Sequence, residues 1–246
     1  MKKIIILLLL FLSLSAQSIN IAVAANVSYA IDELKQEFMK LNPDIKVKII
    51  LGSSGKLTAQ IKNGAPYGLF MSANMKYPNA LYKDNIAITK PIVYAQGTLA
   101  FFSVKNQDLS LGMNLLKSKS IKRIAIANPK TAPYGIATVE ALKNANIYND
   151  IKEKFIYGES ISQTVSYAVT ATDIGIIAKS SLYSSTMSQY KKDINWVSLD
   201  SKLYTPIKQG IVLLRYSKNS KAYKAFYDFI LSAKAKEILK KYGYII

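Results

Sequence analysis

Cysteine and histidine are both absent from the 246 residues of this chain. Without cysteine there are no disulfides and no lipid-modified cysteine anchor. Without either residue there are no thiolate or imidazole metal ligands, no Cys–His pair and no Ser–His–Asp triad. An oxygen-ligand calcium loop would need a D-x-[DN]-x-[DN]-G run, and none occurs. The G-x-S-x-G turn of the serine hydrolases is missing too. Arginine is nearly absent: among 33 Lys and Arg residues only Arg123 and Arg215 carry a guanidinium. Nucleic-acid and phosphate sites usually recruit arginine forks, which lysine does not reproduce. The formal charge of +18 therefore reads as a solvated lysine surface with a modest steering field for anions. Most enzyme mechanisms are excluded on composition, and no enzymatic activity is expected.

The chain has one long apolar run, Ile4–Leu14, broken only by Ser13. It is too short to span a bilayer comfortably. Met1-Lys2-Lys3 precedes it and the small residues Ser15, Ala16 and Ser18 follow, which is the anatomy of a secretory signal peptide. Residues 1–18 are assigned to that segment, with cleavage expected after Ala16 or Ser18. An exported protein follows, with half of its residues hydrophobic and enough length for one large domain or two lobes.

Strand and helix signals then alternate. Ile19–Ala25 and Gly68–Ser72 are short apolar runs, and Ile45–Leu51 alternates Ile and Val with Lys. Between them Val27, Ala30, Ile31, Leu34, Phe38 and Leu41 recur at helical spacing, and Leu57 and Ile61 open a second helical face. Asn42-Pro43 and Asn63-Gly64 supply the stops. The same grammar returns with strands at 98–104, 124–128, 174–178 and 209–214, and with helices at 136–146, 160–169 and 220–242. This is α/β order with two lobes and no flexible linker.

The segment LGSSGKLTAQI (51–61) superficially resembles a phosphate-binding loop. Its glycines, Gly52 and Gly55, stand too close for a Walker motif, and Leu57 occupies the place of the magnesium-binding hydroxyl. What survives is a small polar turn at a helix start, where free N–H groups attract an anion. In an open α/β sheet the ligand lies beyond the carboxyl ends of the strands. Asn26, Ser53, Ser54, Pro133-Tyr134-Gly135 and Ser160-Ile161-Ser162 fall there. Each is also an ordinary cap or turn residue by itself. Lys56 lies one turn into its helix and is expected to face solvent.

Four segments carry a family resemblance: AVAANVSYAIDEL (22–34), GSSGKLTAQIKNGAPYGLFMSAN (52–74), IAIANPKTAPYGIATVEAL (124–142) and KAFYDFILSAKAKEILKKYGY (224–244). They resemble the periplasmic molybdate-binding proteins of ABC transporters over essentially the whole chain after residue 18. The resemblance implies a two-lobed type II solute-binding fold, each lobe a mixed sheet flanked by helices. Lobe I is then 19–90 with 204–246, lobe II is 91–203, and the ligand lies in the cleft. It implies molybdate or tungstate held by Asn26, Ser54 and the backbone amides of Tyr134 and Ile161. Molybdenum or tungsten would enter only as the oxyanion, with no other metal and no cofactor. The implied partner is an inner-membrane ABC permease, and the protein is expected to be a periplasmic monomer that binds no nucleic acid. A phenol that many relatives contribute would fall at Ala178, so either Tyr134 supplies the hydroxyl or no phenol takes part. The alternatives are a sulfate- or phosphate-binding protein of the same fold, or a basic exported protein that binds nucleic acid or anionic surfaces.

Overall fold

Ile19, Ile21 and Val23 share one face of β1 (Gln17–Ala24) and Ala22 and Ala24 the other, and all five are buried. In the computed structural model, which describes residues 17–246, β1 pairs in parallel with β2 (Ile45–Gly52) and with β3 (Leu69–Ser72). Parallel neighbours need crossovers. They are made by α1 (Ile31–Leu41) and by α2 (Ser54–Lys62), and α3 (Lys76–Lys83) follows β3. Two further strands complete the sheet: β4 (Ile92–Gly97), and β10 (Ile207–Leu213, numbered in chain order), which is antiparallel to both β3 and β4. The order is β2-β1-β3-β10-β4. The tail returns to this lobe as α7 (Lys221–Leu231) and α8 (Ala233–Lys241). Phe38 of α1 packs edge-on against Phe226 of α7, ring centroids 4.9 Å apart.

The second sheet has the order β7-β6-β8-β5-β9. Its strands are β5 (Leu99–Phe102), β6 (Ile124–Ala127), β7 (Phe155–Gly158), β8 (Ile174–Ala178) and β9 (Trp196–Ser198). The helices are α4 (Pro133–Asn144), the short α5 (Tyr148–Ile151) and α6 (Ile161–Thr170). Among the described residues no helix is long and apolar enough to cross a membrane.

Several boundaries differ from the sequence expectation. The chain passes between sheets at Thr98, not at Pro91, because Ile92–Gly97 pairs with β10. β1 already begins at Gln17, paired with Ile45, so a boundary after residue 18 would cut into a strand and one after Ala16 would not. Residues 1–16, which hold the basic and apolar parts of the expected signal segment, lie outside the described residues. The expected helix from Val27 starts only at Ile31, behind a 3-10 turn at Ala25–Val27. The expected single helix over 220–242 breaks at Ser232, whose backbone is extended and whose Oγ accepts from Ala235 N at 3.3 Å.

Asp173 pins the end of the second sheet remote from the cleft. Its Oδ2 accepts from the backbone N–H groups of Lys122 and Arg123 at 2.8 and 2.9 Å, and its Oδ1 accepts from Lys105 Nζ. Burial raises the carboxyl pKa, but these hydrogen bonds outweigh burial and bring it down to about 2. A depressed folded pKa means stability that is present above the unfolded value and lost as pH falls towards the folded one. Asp173→Asn should therefore destabilise the protein by about 2 kcal/mol at pH 7. The difference from wild type should shrink from about pH 4 downward. Urea unfolding at several pH values checks this, and a pH-independent difference would contradict it.

Candidate anion-binding site

The carboxyl ends of β1, β2 and β3 converge with the starts of α4 and α6 on a small cavity of about 10 Å³. On that measure a single water needs about 10–15 Å³, so the two lobes stand closely shut on this space. Ten residues line it: Ala24, Ala25 and Asn26 after β1; Ser53 and Ser54 after β2; Ala73 after β3. From the other lobe come Ala132, Pro133 and Tyr134 at α4, and Ile161 at α6. None carries a charge.

Three helices begin at this cavity. Their first-turn amides, including those of Ser54, Tyr134 and Ile161, have no acceptor within their own helix, and the positive ends of the helix dipoles meet here. Pro133 at the first position of α4 removes only an N–H that would be unpaired in any case. Gly135 lets that helix start sit directly on the end of β6: a Cβ there would lie 2.2 Å from the Ala127 carbonyl oxygen. The close approach brings the Tyr134 amide to the cavity wall.

The side chains expected from the sequence are all present, though they do not all act as expected. Ser54 is fully buried, and its Oγ accepts from Ala73 N at 2.9 Å, which leaves its hydrogen for another acceptor. Ser53, outside the expected ligand set, is the addition: its Oγ is buried without a partner. Its side chain does not cap α2, so capping does not account for it. Asn26 was expected to offer an amide donor, and its arrangement corrects this. Both Nδ2 hydrogens are taken, by Gln209 Oε1 at 3.0 Å and Tyr244 Oη at 3.2 Å. The atom left unpaired is the acceptor Oδ1. Gln209 and Tyr244 stand 183 and 218 residues away in the chain, so no local pattern announces them.

Tyr134 is almost wholly buried and its Oη accepts from Gln209 Nε2 at 3.2 Å. Tyr94 Oη donates to Gln209 Oε1 at 2.8 Å, and Tyr244 Oη donates to the Asn26 carbonyl at 2.7 Å. Burial pushes the Tyr134 and Tyr94 phenols well up and Tyr244 to about 12. All three stay neutral at physiological pH and put no negative charge beside an anion. Ala178 is buried at the end of β8 and can contribute no phenol.

Other contacts close the cleft from outside. Gly55 N–H donates to the Thr131 carbonyl at 2.9 Å, and Ser180 Oγ donates to the Asn26 carbonyl at 3.2 Å. Lys56, expected to face solvent, is half-exposed and also reaches across the cleft to Glu159 Oε1 at 2.7 Å. Exposed ion pairs contribute ~1 kcal/mol or less. Lys56→Ala should therefore change anion affinity by less than about fivefold, a difference that calorimetric titration of the two proteins would resolve.

A family model described as bacterial extracellular solute-binding protein matches residues 19–245. The molybdate-binding protein ModA of Azotobacter vinelandii is 32% identical over 238 residues, covering 96% of this chain and 93% of that protein. ModA of Rhodobacter capsulatus is also 32% identical, covering 96% of this chain and 91% of its own. A solved structure of the Azotobacter vinelandii periplasmic molybdate-binding protein superposes with a TM-score of 0.83 at 28% identity. It covers 93% of this chain and 99% of that one.

Proposed function

This chain belongs to the bacterial extracellular solute-binding proteins, and from that premise we propose that it captures molybdate, tungstate or both outside the cytoplasm and delivers the anion to the permease of an ABC transporter. The observation that carries the proposal is the cavity wall, which has no charged residue and gathers three helix starts from two lobes. Molybdate and tungstate are fully ionised at neutral pH. Backbone N–H groups and the Ser53 and Ser54 hydroxyls can meet the oxygens with donors. A carboxylate in the wall would instead favour an oxyanion that keeps a proton. Burial between lobes strengthens each of these bonds, because the local dielectric is low.

The functional ligand set is Asn26, Ser53, Ser54 and the amides of Tyr134 and Ile161, with the Tyr134 phenol held in the hinge by Gln209. The protein acts as a monomer that binds and releases its ligand without transforming it, and it needs no cofactor and no nucleic acid. Export depends on a cleavable signal within the first 16 residues, and the likeness to periplasmic relatives supports an extracytoplasmic location.

The test is a thermal-shift panel on the exported form with molybdate, tungstate, sulfate and phosphate. A ligand that binds only the folded state adds ~2.7 kcal/mol at 100 times its dissociation constant. Molybdate and tungstate should raise the melting temperature by several degrees, with little response to sulfate or phosphate. An equal response to sulfate would sink the proposed selectivity.

A further inference from the structure

We propose that Tyr29 is a latch between the lobes. When they close on an anion its ring seats in a groove of the second lobe, and this contact sets how fast a bound anion leaves without taking part in choosing it. The inference rests on the anion capture proposed above.

Tyr29 belongs to the first lobe, in the turn between the 3-10 residues Ala25–Val27 and α1. It packs, however, against an apolar cluster of the second lobe that includes Phe102, Val165, Met187 and Trp196. Among the described residues every other member of that cluster lies between positions 100 and 196, so Tyr29 is the one side chain that the first lobe lends to it. Tyr29 lines no part of the anion cavity. It lines instead a groove shared with Val165, Val169, Met187 and Tyr190, which keeps about 420 Å³ of open space beside the ring. The ring can therefore leave its seat without the second lobe being repacked. Burial raises the Tyr29 phenol above its ordinary pKa, and the ring is seated uncharged.

Latch and cavity share one element in each lobe. In the first lobe Asn26, three residues before Tyr29, lines the cavity. The turn that carries both is tied by Ser28 N–H to the Ala25 carbonyl at 3.2 Å and by Ala30 N–H to the Val27 carbonyl at 2.9 Å. Ser180 Oγ of the second lobe donates to the Asn26 carbonyl on that same turn at 3.2 Å. In the second lobe the shared element is α6. Ile161 lines the cavity at its start, and Val165 and Val169 line the groove. Residues four apart lie on one side of a helix, so a single stripe of α6 faces the anion first and Tyr29 next. The movement that brings the Ile161 amide to the anion therefore also brings α6 onto the ring, and opening must undo both contacts. Opening returns the apolar ring and its seat to water, which is unfavourable in proportion to the area uncovered. Because the ring touches no anion, it holds every anion longer by the same factor.

Labelled molybdate, mixed with the protein and then chased with unlabelled molybdate, reads capture and release separately. Tyr29→Ala should release molybdate roughly ten- to thirtyfold faster, because an aromatic side chain buries ~150–250 Å² and part of that stays covered in the open form. Tyr29→Leu should fall between, and Tyr29→Phe, which keeps the ring, should match the wild type. Capture should stay within about twofold throughout, since the latch forms after the encounter. The ratio of molybdate to sulfate affinity should not move. A ring that merely shaped the turn carrying Asn26 would slow capture and shift that ratio. Unchanged release in a folded Tyr29→Ala or Tyr29→Leu protein, a loss that falls on capture, or a Tyr29→Phe protein that releases as fast as Tyr29→Ala would overturn the latch while the proposed function stands. A wild-type protein that binds sulfate and not molybdate would overturn the proposed function, and the same chase with labelled sulfate would still decide the latch. A wild-type protein that binds neither would overturn both.

Discussion

Ser53→Ala combined with Ser54→Ala should lower molybdate affinity by roughly a hundred- to ten-thousandfold, the largest effect expected of any change in this protein. Each hydroxyl has a hydrogen free for the anion, and a hydrogen bond to a charged group contributes ~1.5–3 kcal/mol. The two residues are neighbours, so their effects need not add, and the single variants should be measured beside the double. The singles should also differ in stability. Ser53 Oγ has no partner in the protein, so Ser53→Ala should leave the melting temperature of the unliganded protein almost unchanged. Ser54 Oγ accepts from the buried amide of Ala73. Ser54→Ala strands that donor and should cost ~1–3 kcal/mol of stability besides its loss of affinity. Calorimetric titration and thermal unfolding read the two quantities separately. A double variant that binds within threefold of wild type would show that the α2 start does not hold the anion.

Gly97→Ala should weaken binding by roughly ten- to a hundredfold without unfolding either lobe. Gly97 ends β4, one residue before the chain crosses to the second sheet. A Cβ there would lie 1.9 Å from Tyr134 Oη and 2.7 Å from Gln209 Nε2. Tyr134 belongs to the opposite lobe, so the added methyl acts as a wedge between lobes rather than as a defect within one. Forcing extra volume into a packed contact costs ~1–3 kcal/mol, and here the cost falls on the closed form alone. Small-angle scattering with saturating molybdate should show incomplete closure, together with a faster release rate. Wild-type affinity in Gly97→Ala would mean that the hinge cluster yields without strain.

A good part of this molecule could be read in advance, because the signals concerned are local. Periodicity at Leu34 and Phe38, alternation at Ile45–Leu51 and the stop at Asn42-Pro43 concern neighbours in the chain, and α1 and β2 stand where those signals put them. Elements with weak local signals went unread. β7 buries only Phe155 and Gly158 of its four residues, and the outer end of β4 is exposed, so neither shows a clean apolar run. α3 has a single fully buried leucine, Leu81. The break at Ser232 was hidden because the apolar face continues through it. Only the capping hydroxyl, a bond three residues long, marks two helices where periodicity shows one.

Composition limits the chemistry available to this protein: with no thiolate, no imidazole and almost no guanidinium, a binding site has amides, hydroxyls and helix ends to draw on. The sequence also placed Asn26 and Ser54 beyond strand ends and Tyr134 and Ile161 at helix starts, because caps and turns are written in adjacent residues. The tertiary structure alone decided which atoms those residues have free. Asn26 looks like a donor in sequence. Folded, it has its donors occupied by Gln209 and Tyr244, while Ser53 keeps a hydroxyl with no partner. Hydrogen-bond commitments of that kind depend on groups some two hundred residues apart, brought together when β10 and the C-terminal tail close behind β1. Residue type sets what an atom can donate or accept, and packing sets what remains unpaired when an anion arrives.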